Sequence, residues 1–131
     1  MGVRFPSVAT TTIVNALPAS GAETVILTTP PLNLALDFEQ IFIFWYCTLF
    51  LGTGTATLLT SLRRGTTVAG ALLTSGLSPL TVTAGNNEMV SGCFIDTPGA
   101  VAGQQYSLTM AQNIATVAGT LRDVCMIAFA L

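Results

Sequence analysis

The feature that most constrains this chain is the uncharged stretch from Gln40 to Gly52, QIFIFWYCTLFLG. It is roughly half as long as the ~20 apolar residues that a membrane-spanning helix needs. Its β-branched and aromatic side chains predict a long central strand instead. Because both faces of that strand are apolar, we expect one to pack on an opposing sheet and the other on a loop, an arm or another subunit. The residues predicted to form this core or oligomer interface are Phe42, Phe44, Trp45, Tyr46 and Phe50.

Elsewhere, short β-prone runs alternate with Gly, Pro and Asn turns at a spacing of roughly ten residues. These runs cover residues 9–17, 23–29, 32–38, 55–64, 68–73, 80–83, 88–95, 105–111 and 120–131. The pattern predicts an all-β fold, an antiparallel β-sandwich of the jelly-roll type with about eight to ten strands. Residues 55–64 are predicted to form a hairpin with the central strand. We expect an N-terminal arm over residues 1–8 and a single domain over residues 9–131.

The composition indicates a subunit that assembles. Hydrophobic residues make up 51% of the chain and charged residues 8%, with a net charge of −2. The usual charged share is about 25%, and a soluble monomer normally keeps an interspersed charged surface. A basic stripe is also missing, so the sequence predicts binding neither to nucleic acid nor to an anionic membrane surface.

The residue types exclude most familiar catalytic chemistry. The chain contains no His, and its four cationic side chains are all Arg. The Ser-His, Cys-His and Ser-Lys arrangements of nucleophilic catalysis are therefore excluded, as are zinc sites built on His. We expect no enzymatic activity, no cofactor, no metal site and no small-molecule substrate.

The three cysteines are expected to be structural. Cys47, Cys93 and Cys125 are widely spaced, and each lies in an apolar run, so buried thiols are predicted rather than a disulfide or a metal site. The first residues show no apolar signal segment, and no transmembrane segment is predicted.

Two carboxylates precede the central strand. Asp37 and Glu39 would project from the same face of an extended segment. A pair of calcium ligands or an acid/base pair is one interpretation, and a solvated or inter-subunit position is the favoured one, because a calcium site needs several more oxygen ligands. Arg63 and Arg64, which are adjacent in the sequence, are expected to pair with Asp37 or Glu39, either across the hairpin or between subunits.

A short, Thr-, Ala- and Gly-rich chain without His or Lys resembles small virion structural proteins of double-stranded DNA phages. The likeness rests on the arm (Met1–Val8), the apolar central strand (Ile41–Leu51) and a last strand ending at Leu131. It is similar in particular to capsid decoration proteins and small single-jelly-roll coat subunits, some of which form tumour-necrosis-factor-like trimers. The resemblance implies a homotrimer in the virion, bound to other capsid proteins. The segment that would attach the subunit to the capsid is the arm, with Val3, Arg4 and Phe5.

Two functions of different classes follow. The first is a structural virion subunit, made in the host cytoplasm, that stabilises a phage shell by subunit contacts. The alternative is a small trimeric lectin-like or complement-like binding module that uses its end loops at residues 75–79, 96–103 and 113–119. A small enzyme is a more distant third.

Overall fold

The structure is a computed structural model that describes residues 7–11, 15–16, 22–34, 39–51, 55–75, 80–83, 85, 87–112 and 119–131. All the regular elements in these residues are β-strands. They are β1 (Ser7–Thr11), β2 (Asn15–Ala16), β3 (Thr24–Thr28), β4 (Leu32–Leu34), β5 (Ile41–Leu51), β6 (Thr55–Arg64), β7 (Ala71–Ser75), β8 (Leu80–Thr83), β9 (Asn87–Asp96), β10 (Val101–Gln104), β11 (Tyr106–Gln112) and β12 (Gly119–Ala130). None of the described residues belongs to a helix long and apolar enough to cross a bilayer.

Ten of the strands form two antiparallel five-stranded sheets, and β4 and β10 form a separate two-stranded sheet. The first sheet has the order β1-β12-β5-β9, with β2 also pairing with β12, and the second has the order β3-β11-β6-β7, with β8 also pairing with β6. The chain pairs from its ends inward: β1 with β12, β3 with β11, β5 with β9, and β6 with β7. This nested pairing distributed over two sheets is the jelly-roll sandwich that the sequence predicts.

The short strands raise the total above the prediction of eight to ten. β2 and β4 contain two and three residues, and β4 pairs only with the four-residue β10. The predicted strand over residues 68–73 lies instead at Ala71–Ser75, after a turn at residues 65–70.

The predicted hairpin between the central strand and residues 55–64 is wrong. β5 pairs with β12 on one side and β9 on the other, and β6 belongs to the second sheet. Because both edges of β5 are occupied by strands from distant parts of the chain, no edge is left for its sequence neighbour. The glycine-rich connection therefore joins two sheets rather than two strands of one.

The core lies between the two sheets. Along β5, alternate side chains point to opposite faces, and the inward set is almost fully buried: Ile41, Ile43, Trp45, Cys47 and Leu49. The second sheet contributes Leu58 and Leu62 of β6 and Tyr106, Leu108 and Met110 of β11. One face of the central strand is thus covered by the opposing sheet, as predicted.

The boundary of the arm differs from the prediction. Ser7 and Val8, assigned to the arm from sequence, belong to β1 and pair with Ala128 and Ile127 of β12. Residues 1–6, which include Val3, Arg4 and Phe5, lie outside the described residues. A capsid-attachment arm therefore stays a prediction for those six residues.

Candidate assembly face

The outer face of the first sheet is apolar and aromatic. β5 places Phe42, Phe44 and Tyr46 there, since they alternate with its buried residues. Strand register adds partners on both sides: Phe42 lies between Ile95 of β9 and Phe129 of β12. We call this surface the aromatic face and define it as Phe42, Phe44, Tyr46, Phe50, Ile95, Ile127 and Phe129.

The rings of the aromatic face contact one another. The centroids of Phe42 and Phe129 are 5.3 Å apart with the rings tilted by 47°, and those of Phe44 and Tyr46 are 6.2 Å apart with a tilt of 46°. Such tilted pairs contribute about 0.5–1.5 kcal/mol each beyond the area that they bury. The rings therefore form an ordered surface rather than independent side chains.

No second layer covers the aromatic face among the described residues. Its rings are half-buried by one another, whereas the inward residues of the same strand, such as Ile43, are 0% exposed. Ile95 is 51% exposed, and the neighbouring Met89 of β9 is 70% exposed. Aromatic residues and Met are the types that protein interfaces favour. The second apolar face of β5, which the opposing sheet does not cover, therefore needs another segment or another molecule to cover it.

Trp45 is a core residue. Its side chain is 3% exposed and points between the sheets, away from the aromatic face. Directly opposite on β9 is Gly92, where an added Cβ would lie 2.3 Å from Cζ2 of the indole. The indole N–H donates to no atom of the described residues. Of the five aromatic residues predicted as core or interface, Trp45 belongs to the core and the other four to the aromatic face.

A bulge in β12 determines one end of the aromatic face. The pairing of β12 with β5 shifts between Arg122 and Cys125, and Asp123 has a positive φ of 50°. The extra residue of a bulge bends its strand and turns a side chain. The Arg122 guanidinium lies 5.5 Å from the centroid of the Phe50 ring, a cation–π distance. A cationic group therefore covers the last ring of the aromatic face.

The outer face of the second sheet is polar by contrast. Ser61, Ser107 and Thr109 alternate with the core residues of their strands, yet each is buried. Two of the hydroxyl groups make hydrogen bonds: Ser107 donates to the carbonyl of Gly65 over 2.6 Å, and Thr109 donates to Glu23. The outer face of the second sheet is thus more polar than the aromatic face, although Leu59 and Leu72 are 40% and 50% exposed on it.

Arg63 is held within the chain on this polar face. It donates from Nε and Nη2 to the two carboxylate oxygens of Glu23, both at 2.6 Å, and from Nη1 to the carbonyl of Gly70 at 2.8 Å. The hydrogen bond from Arg63 lowers the pKa of Glu23 below its ordinary value of 4.5, although burial opposes this. This bidentate pair ties β6 to the start of β3.

Arg64 joins the two sheets. Its Nε and Nη2 donate to the Asp96 carboxylate over 3.0 and 2.5 Å, and the Tyr106 hydroxyl donates to the same carboxylate over 2.9 Å. Burial first, and then the bond to Asp96, raise the pKa of Tyr106. Asp96 is 5% exposed, so the carboxylate is desolvated but has three donors.

These contacts correct the predicted partners of the two arginines. The sequence predicts that Arg63 and Arg64 pair with Asp37 or Glu39, but in the structure they pair with Glu23 and Asp96 of the same chain. The reason is tertiary: β6 lies in the second sheet, where β3 and the end of β9 bring those carboxylates within reach. Glu39 is 6% exposed, and Asp37 lies outside the described residues, so an inter-subunit role for them stays a prediction.

The cysteines are not all buried as predicted. Cys47 and Cys125 are buried, but Cys93 is exposed on β9, beside the aromatic face. Burial raises the pKa of the Cys47 thiol to about 11 and raises that of Cys125 as well. Alternation along β9 would place Cys93 on the outward side once the inward side is known, but the sequence alone does not tell which side that is. Within the described residues, no group of three potential metal-ligating side chains occurs.

The loops of the alternative binding module are only partly described. Residues 96–103 are described in full, whereas 76–79 and 113–118 lie outside the described residues. The 96–103 loop contains no aromatic residue on which a sugar ring would stack.

The fold is similar to parts of solved virus structures. The structure of the Gt strain of infectious bursal disease virus matches 97% of this chain and 33% of its own chain, with a TM-score of 0.70 and 8% identity. T=1 particles derived from infectious bursal virus match 95% of this chain and 32% of theirs, with a TM-score of 0.66 and 7% identity. This chain spans about a third of the length of these neighbours. Identities this low establish a shared fold alone.

The fold also occurs outside viruses. Dimeric latent PorU from Porphyromonas gingivalis matches 97% of this chain and 13% of its own, with a TM-score of 0.55 and 13% identity. No protein-family model matches the chain, and no curated protein matches it significantly.

Proposed function

We propose that this chain is a structural subunit of a virion shell and that it assembles with copies of itself and with other capsid proteins through the aromatic face. The observation that carries the proposal is this face: contacting rings of Phe42, Phe44 and Phe129 on the outside of a sheet whose inside is already the core. The jelly-roll fold that the chain shares with virus structures supports the same role.

The magnitude of the hydrophobic effect explains why such a face favours assembly. Burying about 400 Å² of apolar surface contributes roughly 10 kcal/mol at ~25 cal/mol per Å². Association costs about 4–15 kcal/mol in lost translational and rotational freedom. This cost is similar in size to the gain from one such patch, so a single contact between two subunits is expected to be weak. Repeated contacts in a shell, each with the same face, would then produce a stable particle from weak pairwise contacts.

The resemblance of the sequence to phage proteins favours a decoration or small coat subunit, working as a homotrimer with residues 1–6 reaching a neighbour. The solved virus structures with this fold come from infectious bursal disease virus rather than a phage, so they support the shell role and not the kind of virus. In this role the protein is not an enzyme, because its contacts and not its side-chain chemistry would perform the function.

The proposal is tested by replacing rings of the aromatic face. Phe42→Thr and Phe44→Thr put a β-branched residue, which also favours strands, in place of each ring. We expect size-exclusion chromatography with light scattering to show an oligomer for the native protein and a smaller species for each variant, with unchanged far-ultraviolet circular dichroism.

The matched control is Leu72→Thr, which removes a 50% exposed apolar side chain from β7 in the second sheet. It should leave the oligomer intact. A native protein that stays monomeric at all concentrations, or an oligomer that survives both Phe variants, would refute assembly through this face. Binding on a glycan array would instead favour the lectin-like alternative.

A further inference from the structure

The strand β9 has a long free edge. Its ten residues pair with β5 on one side from Asp96 to Asn87 without any shift of register. It is the terminal strand of its sheet, so no other strand of the described residues occupies its second side. A row of backbone N–H and C=O groups is therefore available for pairing with another strand.

The usual protection of an edge strand is missing from β9. It contains no Pro, no Lys and no bulge, which are the features by which natural sheets block edge pairing. Its two charges stand near its ends, and one of them, Asp96, is already neutralised by Arg64. Between them, Met89 and Ile95 are 70% and 51% exposed.

The side chains of β9 are also arranged symmetrically about Gly92. Positions equally far from Gly92 hold residues of the same kind. The first pair is small, the second and third pairs are apolar, and the fourth pair is acidic. The matched positions, going outward, are Ser91 and Cys93, Val90 and Phe94, Met89 and Ile95, and Glu88 and Asp96. In an antiparallel two-fold pairing centred on Gly92 these matched positions lie opposite each other, because residue i contacts residue j while j contacts i, so apolar side chains meet apolar ones.

We infer that β9 pairs with β9 of a second copy of this chain, antiparallel and with Gly92 on the two-fold axis. Met89 then lies directly opposite Ile95 of the other copy, so the two exposed large apolar side chains of the edge cover each other. Directly opposite residues share a face of the sheet. The pairing therefore joins the two aromatic faces into one continuous surface on the same side.

The charges do not oppose this register. Glu88 would lie opposite the other copy's Asp96, a juxtaposition of like charges that is destabilising when neither is paired. Here Asp96 accepts two hydrogen bonds from Arg64, whose side chain is 35% exposed at the strand end. The Arg64–Asp96 pair is neutral as a unit, so Glu88 meets no net negative charge.

The pairing is expected to be weak by itself. A strand of ten residues is about 33 Å long at ~3.3 Å per residue, and a contact ~10 Å wide along it would cover about 330 Å² per subunit. A stable interface takes about 800 Å² per partner. The edge contact should thus form a concentration-dependent dimer that other contacts reinforce.

Disulfide trapping tests both the partner and the register. In a Cys93→Ser background, Met89→Cys and Ile95→Cys place thiols at positions that face each other only between copies, since they are six residues apart on one strand. Opposite residues have Cα atoms about 4.5–5.5 Å apart, within the range of a disulfide. On oxidation with diamide, we expect the double variant to become a disulfide-linked dimer, and an equimolar mixture of the two single variants to form the linked heterodimer.

Each single variant alone is the matched control, because its thiol would face a residue without a thiol in the other copy, Ile95 or the thioether of Met89. Strong cross-linking of either single variant alone, or none in the double variant at concentrations where light scattering shows association, would overturn this register. A second variant, Ser91→Lys, puts a charge on the exposed face of the edge and should abolish trapping, whereas Val68→Lys in a distant turn should not.

This inference does not rest on the proposed function. Loss of trapping with an intact oligomer would refute the edge contact and leave assembly through the aromatic face standing. Trapping without any larger assembly would support the edge dimer and contradict the shell subunit.

Discussion

The contact between Gly92 and Trp45 gives the sharpest test of the core. Replacing Gly92 by Ala would put a Cβ 2.3 Å from Cζ2 of the indole and 2.8 Å from Cε2 and Cη2. Distances below ~3 Å cannot be kept, and the ring is 3% exposed inside a packed core, so it has little room to move. Either the indole or β9 must shift.

The expected cost follows from two opposing effects. Overpacking a core costs about 1–3 kcal/mol, and replacing Gly by Ala in a strand returns roughly 0.5–1 kcal/mol of conformational entropy. We therefore expect Gly92→Ala to lower the free energy of unfolding by about 1–2 kcal/mol. For a chain of this length, that is a fall in Tm of roughly 4–7 °C.

The assay is urea unfolding followed by Trp45 fluorescence and circular dichroism, with calorimetry for Tm. Ser91→Ala, exposed on the opposite face of the same strand, is the control and should stay within about 0.5 kcal/mol of the native protein. A Gly92→Ala variant as stable as the native protein would show that the ring is not held against β9.

A second replacement identifies the indole as the cause. Trp45→Phe removes the atoms that clash and also the N–H that has no partner among the described residues. It should cost at least about 1 kcal/mol less in the Gly92→Ala background than in the native one, which a double-mutant cycle measures. Additive effects would mean that the two sites do not contact each other.

Three further outcomes are expected. At low protein concentration, a maleimide should label Cys93 in the folded protein, whereas Cys47, buried and with its pKa raised to about 11, should react only after unfolding; equal labelling of both would contradict the buried position. Asp96→Asn should cost about 1–3 kcal/mol in urea unfolding, because Arg64 loses its charged partner, and a neutral effect would show that the pair does not hold the sheets together. The Arg63 hydrogen bond that lowers the pKa of Glu23 stabilises the fold above about pH 4.5, and this stabilisation is lost as the pH falls through the pKa of Glu23 in the folded protein. Between about pH 5 and 3, Glu23→Gln should therefore lose less stability than the native protein does. Parallel pH profiles of the two proteins would disprove the linkage.

The local pattern of the sequence predicts much of the fold. Alternation and turn residues place β6 at residues 55–64 and β8 at residues 80–83, and the all-β jelly-roll class follows from their number and spacing. The apolar stretch at residues 41–51 is the central strand, with its inner side chains in the core. These features depend on neighbouring residues, whose side chains alternate whatever the rest of the chain does.

The sequence by itself therefore determined which segments are strands, that β5 needs a cover on both faces, and that chemistry based on His or Lys is absent. Only the tertiary structure decided which strands pair, because pairing in a jelly roll joins residues far apart in the chain. For that reason, three findings emerge only from the folded chain. They are the partners of Arg63 and Arg64, the exposure of Cys93, and the division of the aromatic rings between the core and the aromatic face. The free, symmetric edge of β9 is likewise visible only once β5 has taken its other side.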